Sequence, residues 1–278
     1  MVSAPARSAG TTRRERSEPV SYIISEFGNL IGTITLNNPE KRNSLSTPLL
    51  DELVEALNQL QEQKARVVII RAHKGARVWS SGFDINELPA HGRDPLSYND
   101  PLEKALRAIQ RFPAPVIAMI EGSVWGGACD LAFSCDLAFG AHSASFAITP
   151  AKIGVPYNSA GILHFLNVLG MRITKEMFFT AQPLSAERAY MHGILNQLVP
   201  EEVLETFTYS VAENITYNSP LSITVMKEQL RILGGSAVLS PETFERIQGL
   251  RRTVYDSKDY QEGKQAFLEK RKPVFIGE

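Results

Sequence analysis

An α/β fold, with parallel βαβ units giving way to a helical tail, is predicted by three observations. Short apolar runs of buried-strand length, Val67-Val68-Ile69-Ile70 and Val116-Ile117-Ala118-Met119-Ile120, alternate with helical patterns in the first half of the chain. A glycine-rich turn, Gly122-Ser123-Val124-Trp125-Gly126-Gly127, joins one such strand to a helix. From about residue 161 the pattern is almost wholly helical, with only 195–199 strand-like.

In order along the chain, segments 22–24 and 30–36 flank Glu26-Phe27-Gly28-Asn29, which reads as a β-hairpin turn. A polar loop over 37–43 precedes a helix that starts near Pro48 and carries Leu49, Leu50, Leu53, Leu57 and Leu60 on one stripe. A strand over 67–71, a loop over 79–84 and a Pro/Gly-broken segment through Asp100 follow. Next come a helix over 102–110, a strand over 115–120, the glycine-rich turn, a helix over 128–134 and a strand over 135–139. Tail helices are drawn at 201–216, 221–233, 241–256 and 260–270. Ile247, Leu250, Val254 and Tyr255 form an apolar stripe there that packs on either a neighbouring subunit or the parent domain. Residues 1–18, rich in Ala, Ser, Thr and Arg without a clear apolar face, read as a disordered tail.

The 278 residues are 44% hydrophobic and 21% charged, with a formal net charge of -1, as in an ordinary soluble domain. That balance gives no electrostatic footprint for nucleic acid, and the apolar runs are too short to span a bilayer. Cys129 and Cys135 lack the spacing of a redox or zinc motif and read as reduced, buried thiols of a cytoplasmic protein. The five histidines (73, 91, 142, 164 and 192) show no paired ligand spacing, so no metal is expected.

Two turns are candidates for chemistry. In Ser81-Gly82-Phe83-Asp84-Ile85, Gly82 permits unusual backbone geometry and Asp84 is placed to cap the next helix. The turn through Gly126 and Gly127 opens a helix, where free N–H groups favour negative charge. Each motif alone is better explained as a tight structural turn.

The pair in this order, with Asn-Asn-Pro-Glu-Lys-Arg-Asn-Ser-Leu at 37–45, resembles the enoyl-CoA hydratase/isomerase (crotonase) superfamily. The likeness is greatest to its methylmalonyl-CoA decarboxylase branch, through segments 87–98, 121–128, Thr149-Pro150 and Gly154-Val155-Pro156-Tyr157-Asn158, and the C-terminal run. The resemblance implies a crotonase-like ββα spiral core over 19–205, a C-terminal helical trimerisation region over 206–278, and a homotrimer or dimer of trimers. It also implies that the N–H groups of Phe83 and Gly127 bind the thioester oxygen, with Gly126 shaping the turn. Ser81, Gly82, Asp84 and Ile85 would cradle the coenzyme A arm, joined by Lys41, Thr149, Phe267 and Lys270. Coenzyme A enters as part of the acyl-CoA substrate and no other cofactor is implied. Where the bacterial decarboxylase carries histidine at the first donor position, this chain has Phe83; a main-chain donor survives that exchange.

Hydration of an enoyl thioester requires two carboxylates. The hydratase positions hold Asp130 and, in the 146–153 segment, Thr149-Pro150-Ala151, so the pair is missing. Decarboxylation of methylmalonyl-CoA, or of a related malonyl-type thioester, to propionyl-CoA and CO2 needs only oxyanion donors and an oriented carboxylate. By resemblance Tyr157 orients that carboxylate and Thr149 contacts it. Asp130 sits one helical turn from Gly127, positioned either to face the acyl pocket or to stabilise the first helical turn. The alternatives are a hydratase or isomerase using Asp130 as sole carboxylate, and a non-catalytic RNA-binding member of the superfamily.

Overall fold

The structure, a computed structural model, describes residues 21–88, 97–234 and 241–277. The tail expected over 1–18 and residues 89–96 of the Pro/Gly-broken segment lie outside the described residues. In chain order the elements are β1 (Ile23–Gly28), β2 (Ile31–Leu36), α1 (Thr47–Glu62), β3 (Val67–Arg71), β4 (Val78–Ser80), α2 (Pro101–Arg111), β5 (Val116–Ile120), β6 (Ser123–Trp125) and α3 (Gly127–Phe133). They continue with β7 (Leu137–Ala141), β8 (Ser145–Ala147), α4 (Ser159–Thr180), β9 (Leu184–Ser185), α5 (Ala186–Met191), β10 (Gln197–Val199), α6 (Glu201–Thr216), α7 (Pro220–Gly234), α8 (Pro241–Tyr255) and α9 (Lys258–Leu268).

The strands form two sheets, ordered β1-β2-β3-β5-β7-β10 and β4-β6-β8-β9. Among the described residues only β1–β2 and β8–β9 pair antiparallel. Each turn of the chain adds one strand to the first sheet, one to the second, then a helix: β3, β4, α2; β5, β6, α3; β7, β8, α4. The first turn follows the same rule with β2, the isolated bridge of Leu45 to Phe83, and α1. The expected α/β ββα spiral is the fold observed.

The apolar runs of β3 and β5 are buried on both faces. Val68, Ile70, Val116, Ala118 and Ile120 face the main core with the α1 leucine stripe. Val67, Ile69, Ile117 and Met119 pack instead under Leu204 and Ala212 of α6. This is why those strands read as unbroken hydrophobic segments rather than alternating ones. The expected boundary after residue 205 falls inside α6, which belongs to the first sheet's outer layer.

Local expectations fare unevenly. The hairpin forms, but its turn is Asn29-Leu30, both at positive φ, and β1 runs through Gly28. The short strand β6 passes through the segment read as a turn, β8 lies where no element is drawn, and Trp79 and Ser80, read as loop, belong to β4. Both cysteines are free thiols, with Cys129 buried and Cys135 half-buried. The α8 stripe divides: Tyr255 is buried against the chain's own Tyr260, whereas Leu250 is 62% exposed. Lys264 Nζ donates to the Leu88 carbonyl (2.9 Å), so α9 docks on its own core. No helix among the described residues is long and apolar enough to cross a membrane.

Candidate active site

The first amide of the site is set where β4 ends. Gly82 has φ +85, and a Cβ there would collide with the Trp125 carbonyl, so the position requires glycine on conformational and steric grounds. The bridge to Leu45 consumes its neighbours: Leu45 N donates to Gly82 O (2.8 Å) and Asp84 N to Leu45 O (3.3 Å). The N–H of Phe83 between them has no partner among the described residues. Asn43, buried and at φ +52, locks this loop from behind: its Nδ2 donates to Trp79 O (3.0 Å), and Ser80 Oγ donates to Asn43 O (2.6 Å). Asp84 caps a single 3-10 turn over Ile85–Glu87, accepting from Asn86 N (3.1 Å).

The second amide comes from the next turn of the spiral. Gly126, at φ 52 and ψ -124, donates to Ala147 O (2.8 Å) and turns β6 into α3. Gly127 is then the first helical residue, whose N–H has no intrahelical acceptor and lies at the positive end of the helix dipole. A Cβ on Gly127 would sit 3.6 Å from Phe83 N, which places the two free donors side by side.

Both amides face a chamber of about 80 Å³ whose other walls are Leu102, Thr149, Pro150, Val155 and Tyr157. It shares Ser81, Phe83, Ile85, Thr149 and Ile153 with an open groove of about 760 Å³. The groove adds Lys41, Arg42, Lys152, Trp125 and Phe267, together with Asp84, a lining rich in basic and aromatic groups beside a small apolar pocket. Phe267 reaches it from the chain's own α9, while Lys270 lies beyond that helix, exposed and outside the groove lining. Gly154 and Gly263 let α9 pack directly on the Pro150–Ile153 turn: a Cβ on Gly263 would strike the Ile153 backbone.

Asp130 does not line the chamber. It is buried behind Tyr157, where Oδ1 accepts from His164 Nδ1 (2.6 Å) and Oδ2 from Tyr157 OH at 3.4 Å. The reason is the partner that α4 supplies: helical spacing alone leaves the side chain on the Gly127 face, and the hydrogen bond from His164 holds it behind Tyr157 instead. Close by, Asn158 donates to Glu103 while its Oδ1 accepts from Gly161 N (2.6 Å) and caps α4. Burial raises the Glu103 carboxyl above its ordinary range. Burial likewise pushes the Tyr157 phenol well up, with the charge of Asp130 adding to it, so its O–H stays protonated.

The sequence reading therefore places Phe83, Gly127, Thr149 and Tyr157 together, with Ser81, Ile85, Lys41 and Phe267 along the adjoining groove. It missed Arg42, Lys152 and Leu102 as lining, and Glu103, Asn158 and His164 as the buried polar cluster. One signal was available: Glu103 lies among Leu102, Ala105, Leu106 and Ile109 on the buried face of α2.

A family model described as enoyl-CoA hydratase/isomerase matches residues 26–278. Methylmalonyl-CoA decarboxylase of Escherichia coli (strain K12) is 50% identical over 256 residues, covering 92% of this chain and 98% of that protein. Human enoyl-CoA hydratase domain-containing protein 3, mitochondrial, is 34% identical over 278 residues, covering 97% of this chain and 88% of that one. The crystal structure of methylmalonyl-CoA decarboxylase complexed with 2S-carboxypropyl CoA superposes with TM-score 0.91 at 48% identity, covering 94% of this chain and 100% of that chain. The chain belongs to the enoyl-CoA hydratase/isomerase family.

Proposed function

We propose that this protein is a carboxy-lyase that converts methylmalonyl-CoA to propionyl-CoA and carbon dioxide, or a close malonyl-type thioester to the corresponding acyl-CoA and carbon dioxide. The observation that carries the reading is the pair of unpartnered amides, Phe83 and Gly127, facing a small chamber that no carboxylate lines among the described residues. The thioester oxygen accepts both N–H groups. The bond between Cα and the carboxylate carbon then breaks, its electron pair entering the enolate while carbon dioxide leaves. Charge thus moves from the carboxylate to the oxygen the amides hold, and preorganised donors of this kind contribute about 3–4 kcal/mol each. A proton added at Cα completes propionyl-CoA. Tyr157 orients the departing carboxylate and Thr149 stands beside it on the chamber wall. The likeness to the Escherichia coli decarboxylase supports the same chemistry.

A hydratase acting through Asp130 is disfavoured because that carboxylate is turned away and engaged by His164. Lys41, Arg42 and Lys152 in the groove lining support contact with the phosphates of coenzyme A, and Phe267 in the same lining supports contact with its adenine. Exposed Leu221, Val225, Met226 and Leu230 on α7 support burial in a trimer or dimer of trimers. The free cysteines support a cytoplasmic location.

Malonyl-, methylmalonyl- and crotonyl-CoA offered separately, with products followed by mass, test the reading. Decarboxylation of a malonyl thioester is expected, and hydration of crotonyl-CoA without it would overturn the proposal. Tyr157→Phe should lower kcat/KM about 10- to 100-fold, the worth of a hydrogen bond to a charged group. Lys152→Ala should raise KM about two- to fivefold with kcat unchanged, an effect that fades in high salt.

A further inference from the structure

The buried cluster behind the chamber raises a question of proton supply and demand. Tyr157 has a single O–H, and two carboxylates compete for it: Asp130 behind and, on the decarboxylase reading, the acyl group's carboxylate in front. Whichever takes the proton leaves the other facing only oxygen lone pairs. The distances show an uneven contest. His164 Nδ1 lies 2.6 Å from Asp130 Oδ1, a short, charge-assisted contact, whereas Tyr157 OH lies 3.4 Å from Oδ2, near the limit of a hydrogen bond.

We propose that His164 is a positioning residue: by holding Asp130 through Nδ1, it keeps that carboxylate from claiming the O–H of Tyr157 and leaves this proton for the acyl carboxylate. The inference rests on the decarboxylase reading. Its geometry needs three elements at once: α3 supplies Asp130, α4 supplies His164, and the loop entering α4 supplies Tyr157. The rings of Phe165 and Phe178 stand edge-on to Tyr157 at 5.8 and 5.2 Å and fix the phenol between its two suitors.

The titratable groups facing His164 are Asp130 and Glu103 of α2 (itself 3.8 Å from Arg107). Across a cavity of about 650 Å³ that it borders lie Asp136, Lys227 and Arg231. Burial pulls the imidazole down, but the hydrogen bond and charge of Asp130, with the charge of Glu103, outweigh it and the net direction is up. The ring therefore stays charged through the usual histidine range, and it neutralises Asp130 most fully at pH below its elevated pKa. Gln110, whose amide nitrogen lies 2.9 Å from Nε2, serves either state: its nitrogen donates to the neutral ring, its oxygen accepts from the charged one. With a side chain 23% exposed, His164 exchanges protons with solvent on the side away from the chamber. Decarboxylation should then fall as pH rises through the elevated histidine pKa.

The test measures kcat and KM for methylmalonyl-CoA against pH in wild type, His164→Ala, His164→Asn, Asp130→Asn and Asp130→Asn/His164→Ala. His164→Ala should lose at least about 10-fold in kcat with KM within about threefold, because the coenzyme A groove is untouched. His164→Asn, which keeps an N–H near Nδ1, should recover part of the loss without the alkaline fall. Asp130→Asn should keep at least about a third of wild-type kcat, also without that fall, and the double variant should regain activity over His164→Ala. A wild-type pH profile and kcat in His164→Ala would overturn the inference, as would a folded but inactive Asp130→Asn. Should His164→Ala fail to fold, the Asp130→Asn profile alone decides. Absence of decarboxylation by the wild type would instead remove the reading beneath it.

Discussion

A Gly127→Ala protein is expected to fold normally and to lose roughly 100- to 1000-fold in decarboxylation turnover, the cost of losing one oxyanion donor. Gly127 is the first residue of α3 and its φ is not in the left-handed region, so alanine suits the backbone and the helix. The added methyl is what matters. It would stand 3.6 Å from Phe83 N and 3.0 Å from Leu102 Cδ2, inside the space the thioester oxygen must enter. The leucine end can shift, but the amide cannot. Melting temperature within about 2 °C of wild type together with collapsed kcat is the expected pair of results; full turnover would remove the amide pair from the mechanism.

Gly82→Ala should act through the fold as well as the chemistry, destabilising by about 2–4 kcal/mol in urea unfolding. Two costs coincide there, a φ of +85 and a methyl driven into the Trp125 carbonyl. Gly75→Ala separates them. That glycine has φ +78 but no atom within 4 Å of the added methyl, so only the conformational cost, about 1–2 kcal/mol, is expected. Whatever Gly82→Ala remains folded should turn over poorly, since relieving the clash moves the Phe83 amide away from that of Gly127.

The physics of these two positions explains why they were legible in the sequence. A glycine at a strand end and a glycine pair at a helix start leave few alternatives for the backbone, and the apolar runs of β3 and β5 announce strands covered on both faces. What escaped was whatever depends on contact across the spiral. Strands β6 and β8 are three residues each and exist only because each turn lays one beside the last, so no local periodicity betrays them. Asp130 was open between two orientations because spacing from Gly127 says nothing of what α4 brings up behind it; His164 settles the direction by offering a hydrogen bond. Lys270, named by likeness alone, lies past the end of α9, and of that pair Phe267 lines the groove of its own chain.

The back wall of the chamber also acts as a ruler. Leu102 is packed in the core at 2% exposure with only its tip free to shift, Gly127 is backbone, and Tyr157 is braced by two aromatic rings, so the wall as a whole gives little room to a longer guest. With about 80 Å³ behind the amides, the acyl tail is measured by volume rather than by chemistry. Each further methylene then carries a penalty of about 1–3 kcal/mol. On the decarboxylase reading, short branched acyl groups are expected to enter and longer chains to be disfavoured, although both carry the same coenzyme A handle.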